Sequence, residues 1–298
     1  DAYLAALVTQ YNVAVLARNP DLDAVHSYTK AKHRAEGDSI LRIYARRLKQ
    51  VMALRDERFD WVLLPGGPQA SSVRTARWIR AGRMLVRDHE DAVAGEHEVE
   101  QCCHLLPRMG LKYETPGLQL AADAAERAQI LERIRSKWPQ GLERVIGLHI
   151  SARKVRQRWP VERFIDLARR LHAATQAVLV LLWAPGRADD PLHPGDDEKS
   201  AQIVAALPGV PLLPVPTGKL ETLIAALSHC ELVICSDGGA MHLAAALKKP
   251  IVCLFGNSDA GRWRPWGVPY ELLQPASRNV ADISVDQVLA AYDRLGGR

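Results

Sequence analysis

The chain is expected to fold as an α/β protein in two halves, each built on a parallel sheet. Three observations carry this. Short apolar runs rich in branched residues, at 61–65, 145–150, 178–183, 232–235 and 251–255, alternate with longer stretches of helical period, the pattern of parallel sheets with crossover helices. A connection at 111–120, bearing Pro116 and Gly117, separates two such blocks. The stretch 231–267 reads as strand, Gly-rich turn, helix and parallel strand, a βαβ unit. At 298 residues there is room for two domains of ordinary size.

The first half opens with a strand at 4–8, a helix at 12–18 stopped by Asn19-Pro20, and a strand at 24–28. A helix follows at 34–55, its period marked by Ile40, Leu41, Ile43, Tyr44, Leu48, Val51 and Leu54, with Arg42, Arg46, Arg47 and Lys49 between them. The strand at 61–65 is closed by Gly66-Gly67-Pro68. The segment 71–87 is basic (Arg74, Arg77, Arg80, Arg83, Arg87) and includes Trp78. It suits either a solvated helix face or a grip on an anionic acceptor. Residues 97–110 read as one helix with a terminal Gly cap, and H-E-V-E-Q lacks the second His of a zinc-binding helix.

In the second half, a charged amphipathic helix at 122–137 is ended by Pro139-Gln140-Gly141, and the strand at 145–150 starts a new sheet. That strand runs into a loop with four cations, Arg153, Lys154, Arg156 and Arg158, before Trp159-Pro160 opens a helix. After the strand at 178–183 comes a long polar loop, 184–199, whose Asp189, Asp190, Asp196, Asp197 and Glu198 lack the spacing of a calcium loop. Helices are expected at 217–227 and, with a Ser N-cap, at 284–295.

Composition sets outer bounds. Hydrophobic residues make up 48% and charged residues 24%, as in ordinary globular proteins. No apolar run approaches the roughly 20 residues that span a bilayer, and no basic n-region of a signal peptide opens the chain. Of five cysteines, Cys230, Cys235 and Cys253 lie in apolar stretches, and Cys102-Cys103 are adjacent rather than spaced as C-x-x-C. These point to core thiols and a cytoplasmic location. A net charge of +5 suits an anionic partner, but the cations are scattered, which puts nucleic acid last.

The chemistry concentrates at Ser236-Asp237-Gly238-Gly239. Paired glycines let a ligand approach the backbone, and the N–H groups of the following helix attract an anion such as a phosphate or diphosphate. His242 falls in the first helical turn, within reach of that anion. A tight turn without a ligand is the competing reading of the same residues. The cations at 153–158 suit a diphosphate whose charge grows as a sugar leaves; a surface basic loop is the bland alternative.

The string S-D-G-G-A-M-H-L-A-A-A-L-K-K-P-I-V-C-L-F-G, continued by N-S-D-A-G-R-W-R-P-W-G, resembles the donor-site motif of the ADP-heptose:lipopolysaccharide heptosyltransferases, glycosyltransferase family 9. The opening A-A-L-V-T-Q-Y-N-V-A-V-L-A-R-N-P-D-L-D-A-V resembles the second strand, helix and third strand of that family's N-terminal domain. The resemblance implies the GT-B fold, two facing Rossmann-like domains with a central cleft. Here these would be an acceptor-side domain at 1–115 and a nucleotide-sugar domain at 116–298, the last helix packing back on the first. It implies inverting, metal-independent transfer of heptose from ADP-heptose to the lipopolysaccharide inner core, without a cofactor. The partners implied are the nucleotide sugar and an anionic glycolipid, with peripheral inner-membrane association and no nucleic acid. Donor contacts would fall to Ser151, Lys154, Arg158, Glu198, Asp237, Gly238, Gly239, Ala240, Met241 and His242. The family's first strand, with an Asp thought to be the catalytic base, would precede Asp1, so the base is unassigned. Gln157 stands where the family's Lys-x-Trp-Pro motif has its lysine. Two alternatives stay open: a donor-binding protein without catalysis, and a transferase using another nucleotide sugar or acceptor.

Overall fold

The computed structural model describes residues 2–29, 39–88, 93–139, 144–190 and 194–296. Asp1, the expected helix start at 34–38 and the stop at Gln140-Gly141 lie outside the described residues. The chain divides into two compact units, Asp1–Pro116 and Gly117–Arg298.

In the first unit, β1 (Ala5–Thr9) passes through a 3-10 turn into α1 (Val13–Leu16) and returns as β2 (Ala24–Tyr28), parallel to β1. Next come α2 (Ile40–Asp56), β3 (Trp61–Leu64), α3 (Ala70–Ile79) and β4 (Arg83–Val86), with β4 parallel to β3. Val51 and Leu54 of α2 meet Ile79 of α3, and Leu7, Phe59 and Val62 pack against them. The segment 71–87, read as one basic stretch, is half helix and half strand. Arg80 adopts a left-handed backbone (φ 56°) that ends α3 and releases the chain into β4. Arg87 is not a solvated cation. It is buried and donates to Glu98 Oε1 at 2.6 Å. The single helix expected at 97–110 is also broken. α4 (Glu98–Cys103) is capped by His97, whose Nδ1 accepts from the Val99 N–H, and a separate 3-10 turn covers Pro107–Met109. Pro107 has no N–H with which to continue the helix.

The second unit begins with α5 (Ala124–Lys137), then alternates β5 (Val145–His149), α6 (Val161–Thr175), β6 (Val178–Trp183), α7 (Asp197–Ala206), β7 (Leu212–Pro216) and α8 (Leu220–His229). It continues with β8 (Leu232–Ser236), α9 (Gly239–Ala246), β9 (Ile251–Leu254), α10 (Ala260–Trp263), β10 (Tyr270–Leu273) and α11 (Val285–Arg294). The six strands form one sheet in the order β10-β9-β8-β5-β6-β7, and every pairing is parallel. Every residue of β6 and β8 is buried, which is why these strands are apolar throughout rather than alternating. β7 carries Pro214 and Pro216 and lies at a sheet edge, where a missing N–H costs no ladder bond. Those prolines hid it from the sequence pattern.

One face of the sheet holds a core of Ile146, Leu148, Leu179, Leu181, Ile234 and Val252 against α6 and α11. Trp159 anchors it, edge-on to Phe164 at 4.8 Å and donating from Nε1 to the Ile283 carbonyl at 2.9 Å. The last helix, expected to pack back on the first domain, gives its apolar residues Val285, Val288, Ala291 and Tyr292 to this core of the second unit. Ser284 and Gln287 form a reciprocal capping box at its start.

Candidate functional site

The strand order reverses between β5 and β8. From β5 the chain steps outward through β6 and β7, then returns to the other side at β8. Open parallel sheets bind ligands beyond the C-terminal strand ends at such a switch. Both sequence stretches singled out for an anion leave the sheet there, one from β5 and one from β8, on directly paired strands.

The β8–α9 turn is built for close approach. Gly238 and Gly239 are exposed, and a Cβ added to either would meet nothing within 4 Å. Neither glycine is required by packing, so the open space lies over the backbone itself. The Met241 N–H bonds back to the Gly238 carbonyl at 3.1 Å, and the N–H groups of Gly239 and Ala240 precede the first intrahelical bond. The side chains of Ala240 and Met241 are buried, so any contact from these two is made by backbone. His242 is half-buried and stands edge-on to Trp263, ring centres 6.1 Å apart.

The β5–α6 loop holds its cations unequally. Arg158 Nε donates to the Ala152 carbonyl at 2.9 Å, folding its side chain onto its own loop. Arg156 reaches the Ser277 carbonyl at 3.3 Å. Arg153 and Lys154 are exposed. Ser151 Oγ accepts from the Ala184 N–H at 2.9 Å, tying the loop's first residue to the end of β6. Glu198 is exposed in the first turn of α7. Of the acidic loop, Asp197 accepts from Trp183 Nε1 (2.7 Å) and the Gly186 N–H (2.9 Å), and Asp189 pairs with Arg187.

Two residues outside the expected donor contacts tie these loops together. Gln157 is buried, and its amide donates to Asp237 Oδ2 at 2.6 Å and to Ser258 Oγ at 2.9 Å. One side chain thus staples the loops that follow β5, β8 and β9. Gly256 makes room for it: a Cβ there would stand 2.5 Å from the Arg156 carbonyl oxygen. Lys199, on α7, donates to the Ile150 carbonyl at 3.0 Å and the Trp159 carbonyl at 2.8 Å, with its Nζ 4.7 Å from the Phe164 ring centre. Those two carbonyls bracket the basic loop, so a single ammonium closes its base. Burial pushes this amine down to about 8, against the pull of the Asp196 and Glu162 charges. At the end of β5, burial and the Lys199 charge push His149 down to about 4, and its Nδ1 is buried without a hydrogen-bond partner among the described residues. Only the Lys-x-Trp-Pro comparison pointed to position 157; nothing in the sequence marked Lys199.

The same three loops are rich in backbone N–H groups, cations and glycine, and together they suit an anionic, diphosphate-like ligand. Known proteins place the chain in a family. Residues 49–289 match the family model described as glycosyltransferase family 9 (heptosyltransferase). A lipopolysaccharide heptosyltransferase 3 of Escherichia coli is 22% identical over 288 residues, 89% of this chain and 78% of that protein. A family 9 glycosyl transferase from Veillonella parvula has the same fold at a TM-score of 0.81 and 19% identity, covering 98% of this chain and 88% of that one. The E. coli heptosyltransferase WaaC, solved with ADP, matches at a TM-score of 0.71 and 20% identity over 97% of this chain and 88% of its own. The fold is therefore the GT-B type expected from the sequence. With its matched region covering most of its length, the chain belongs to glycosyltransferase family 9, the heptosyltransferases, and is a glycosyltransferase.

Proposed function

We propose that this glycosyltransferase moves a heptose from ADP-heptose onto the lipopolysaccharide inner core. The observation that carries the reading is the open glycine turn of β8–α9 set beside the exposed cations Arg153 and Lys154 on the neighbouring strand's loop. The diphosphate lies over Gly238 and Gly239, within reach of the helix N–H groups and His242. Lys154, and Arg158 where its outer nitrogens are free to turn, neutralise charge as the diphosphate departs. Ser151 and Glu198 flank the nucleoside. The relative solved with ADP supports an adenine nucleotide. The acceptor hydroxyl attacks the anomeric carbon directly, a carboxylate takes its proton, and the configuration inverts. No described residue is assigned as that base.

The test is calorimetric titration of the chain with ADP, ADP-heptose, UDP and GDP, repeated with Asp237→Ala and His242→Ala. Adenine nucleotides alone should bind, and both variants should bind them more weakly. Equal or absent binding of all four would return the glycine turn to a structural role and leave the donor reading without support.

A further inference from the structure

We infer that the outer face of α2 is a docking surface for an anionic lipid bilayer. α2 turns Ile43, Val51 and Leu54 inward, and all three are buried. Beside that stripe runs a second apolar one facing solvent: Leu41 is 82% exposed, Tyr44 54%, Leu48 49% and Met52 44%. Their steps of three, four and four residues place them within an arc of about 80° of the helix. Single exposed apolar residues are ordinary, but four in register on one helix are not.

The rest of the helix says what covers this stripe. Arg42, Arg46 and Lys49 are exposed and fall together on the next arc round. With Arg47 and Arg55, α2 carries five cations and a single acid, Asp56, which is its last residue. Arg47 lies over the rings of Tyr28 and Tyr44, at 5.1 and 6.0 Å. An apolar stripe flanked by cations is the layout of helices that lie in a membrane interface, apolar side chains among the acyl chains and cations at the headgroups. A second copy of the chain would bring a helix of the same positive sign against this one, which opposes self-association. Nucleic acid would use the cations and leave the apolar stripe wet. In the same unit, α3 exposes Trp78 (54%) next to Arg77, another residue pair suited to the interface. The membrane is the partner that satisfies both stripes.

This inference does not depend on the donor site, which belongs to the other unit. The test is co-sedimentation of the full chain with vesicles of phosphatidylcholine, with and without phosphatidylglycerol, across a salt series. The wild type should partition onto the anionic vesicles. The triple variant Arg42→Gln/Arg46→Gln/Lys49→Gln should lose about a hundred-fold in partitioning and much of its salt dependence. Leu41→Glu/Leu48→Glu should lose at least about ten-fold at every salt concentration. Melting temperature and ADP titration should be unchanged in both, since none of these side chains is buried; a lost ADP response in the wild type would count against the donor reading alone. Failure of the wild type to bind anionic vesicles, or equal binding by the variants, would overturn the inference. A lower solution mass for the leucine variant by light scattering, without lipid, would also overturn it, in favour of an interface between copies.

Discussion

The two loops of the candidate site reach the same place by opposite means. The β8–α9 turn leaves its backbone bare: Gly238 and Gly239 face open space and hold no neighbour in place. The β5–α6 loop is held from three sides, by Lys199 at its base, by Gln157 through Asp237 and Ser258, and by Gly256 beneath the Arg156 carbonyl. The difference separates two tasks. A backbone anion site must stay uncovered, whereas a loop that presents cations must have its backbone held in place before the ligand arrives. Substitutions in the turn should therefore impair binding and spare the fold, and those in the loop's supports should do the reverse.

Lys199 should show the largest effect. Replacing it by methionine strips two inner carbonyls of their donor, at about 1–3 kcal/mol each. Its titration gives a second signature. Because burial lowers the folded-state value to about 8 from 10.5, the unfolded chain holds more protons between those values, and stability rises with pH across that window. The full span is about 3 kcal/mol. In Lys199→Met that alkaline rise should vanish, so the loss of stability relative to the wild type should be larger at alkaline than at neutral pH. His149 acts likewise lower down: its value of about 4 against 6.5 means stability is lost as pH falls through that interval, and His149→Gln should flatten this acid limb. Chemical denaturation of the three proteins from acid to alkaline pH reads both. A rise that persisted in Lys199→Met would assign it to another group.

The glycines sharpen the contrast directly. Gly239→Val should keep stability within about 1 kcal/mol, since valine is no worse than glycine in a helix. Its methyls would fill the space the diphosphate needs, and loss of two charge-assisted backbone contacts would weaken ADP binding by about a hundred-fold. Gly256→Ala should do the opposite first, forcing the loops apart at a cost of about 1–3 kcal/mol. Melting and ADP titration on both variants test this. If Gly239→Val bound ADP like the wild type, the turn would not be the anion site.

How much of this was legible in the sequence follows from the range of the forces involved. Strands buried on both faces, such as β6 and β8, announced themselves because every position had to be apolar. β4 was missed because half of it is exposed and its Arg83 reads as solvated helix, and β7 because its prolines contradict a strand except at an edge. At the site, the glycine turn was legible as a local device. The roles of the cations were not. Arg87, Arg156 and Arg158 look like Arg153 in sequence, yet the first three are engaged with Glu98 or with backbone carbonyls. Lys199 meets carbonyls 49 and 40 residues away, and Gln157 meets Asp237 across 80. Such partners exist only once the sheet has brought its strand ends together.

Gln157 itself offers the finest test of the comparison, because it belongs to both regions. Its amide meets the Asp237 carboxylate with a neutral donor, at 2.6 Å. A lysine could reach the same two acceptors, Asp237 Oδ2 and Ser258 Oγ, as an ammonium. Gln157→Lys should therefore keep the staple and add one positive charge next to the turn. ADP binding should tighten by about three- to ten-fold at low salt, and the gain should shrink as salt screens it. Gln157→Ala, which removes the staple without adding charge, should instead cost stability. Titration of both variants with ADP at two ionic strengths separates the cases. A gain that ignores salt would mean the lysine acts by repacking the loops, and no gain would mean that position 157 is a strut whose charge the ligand does not feel.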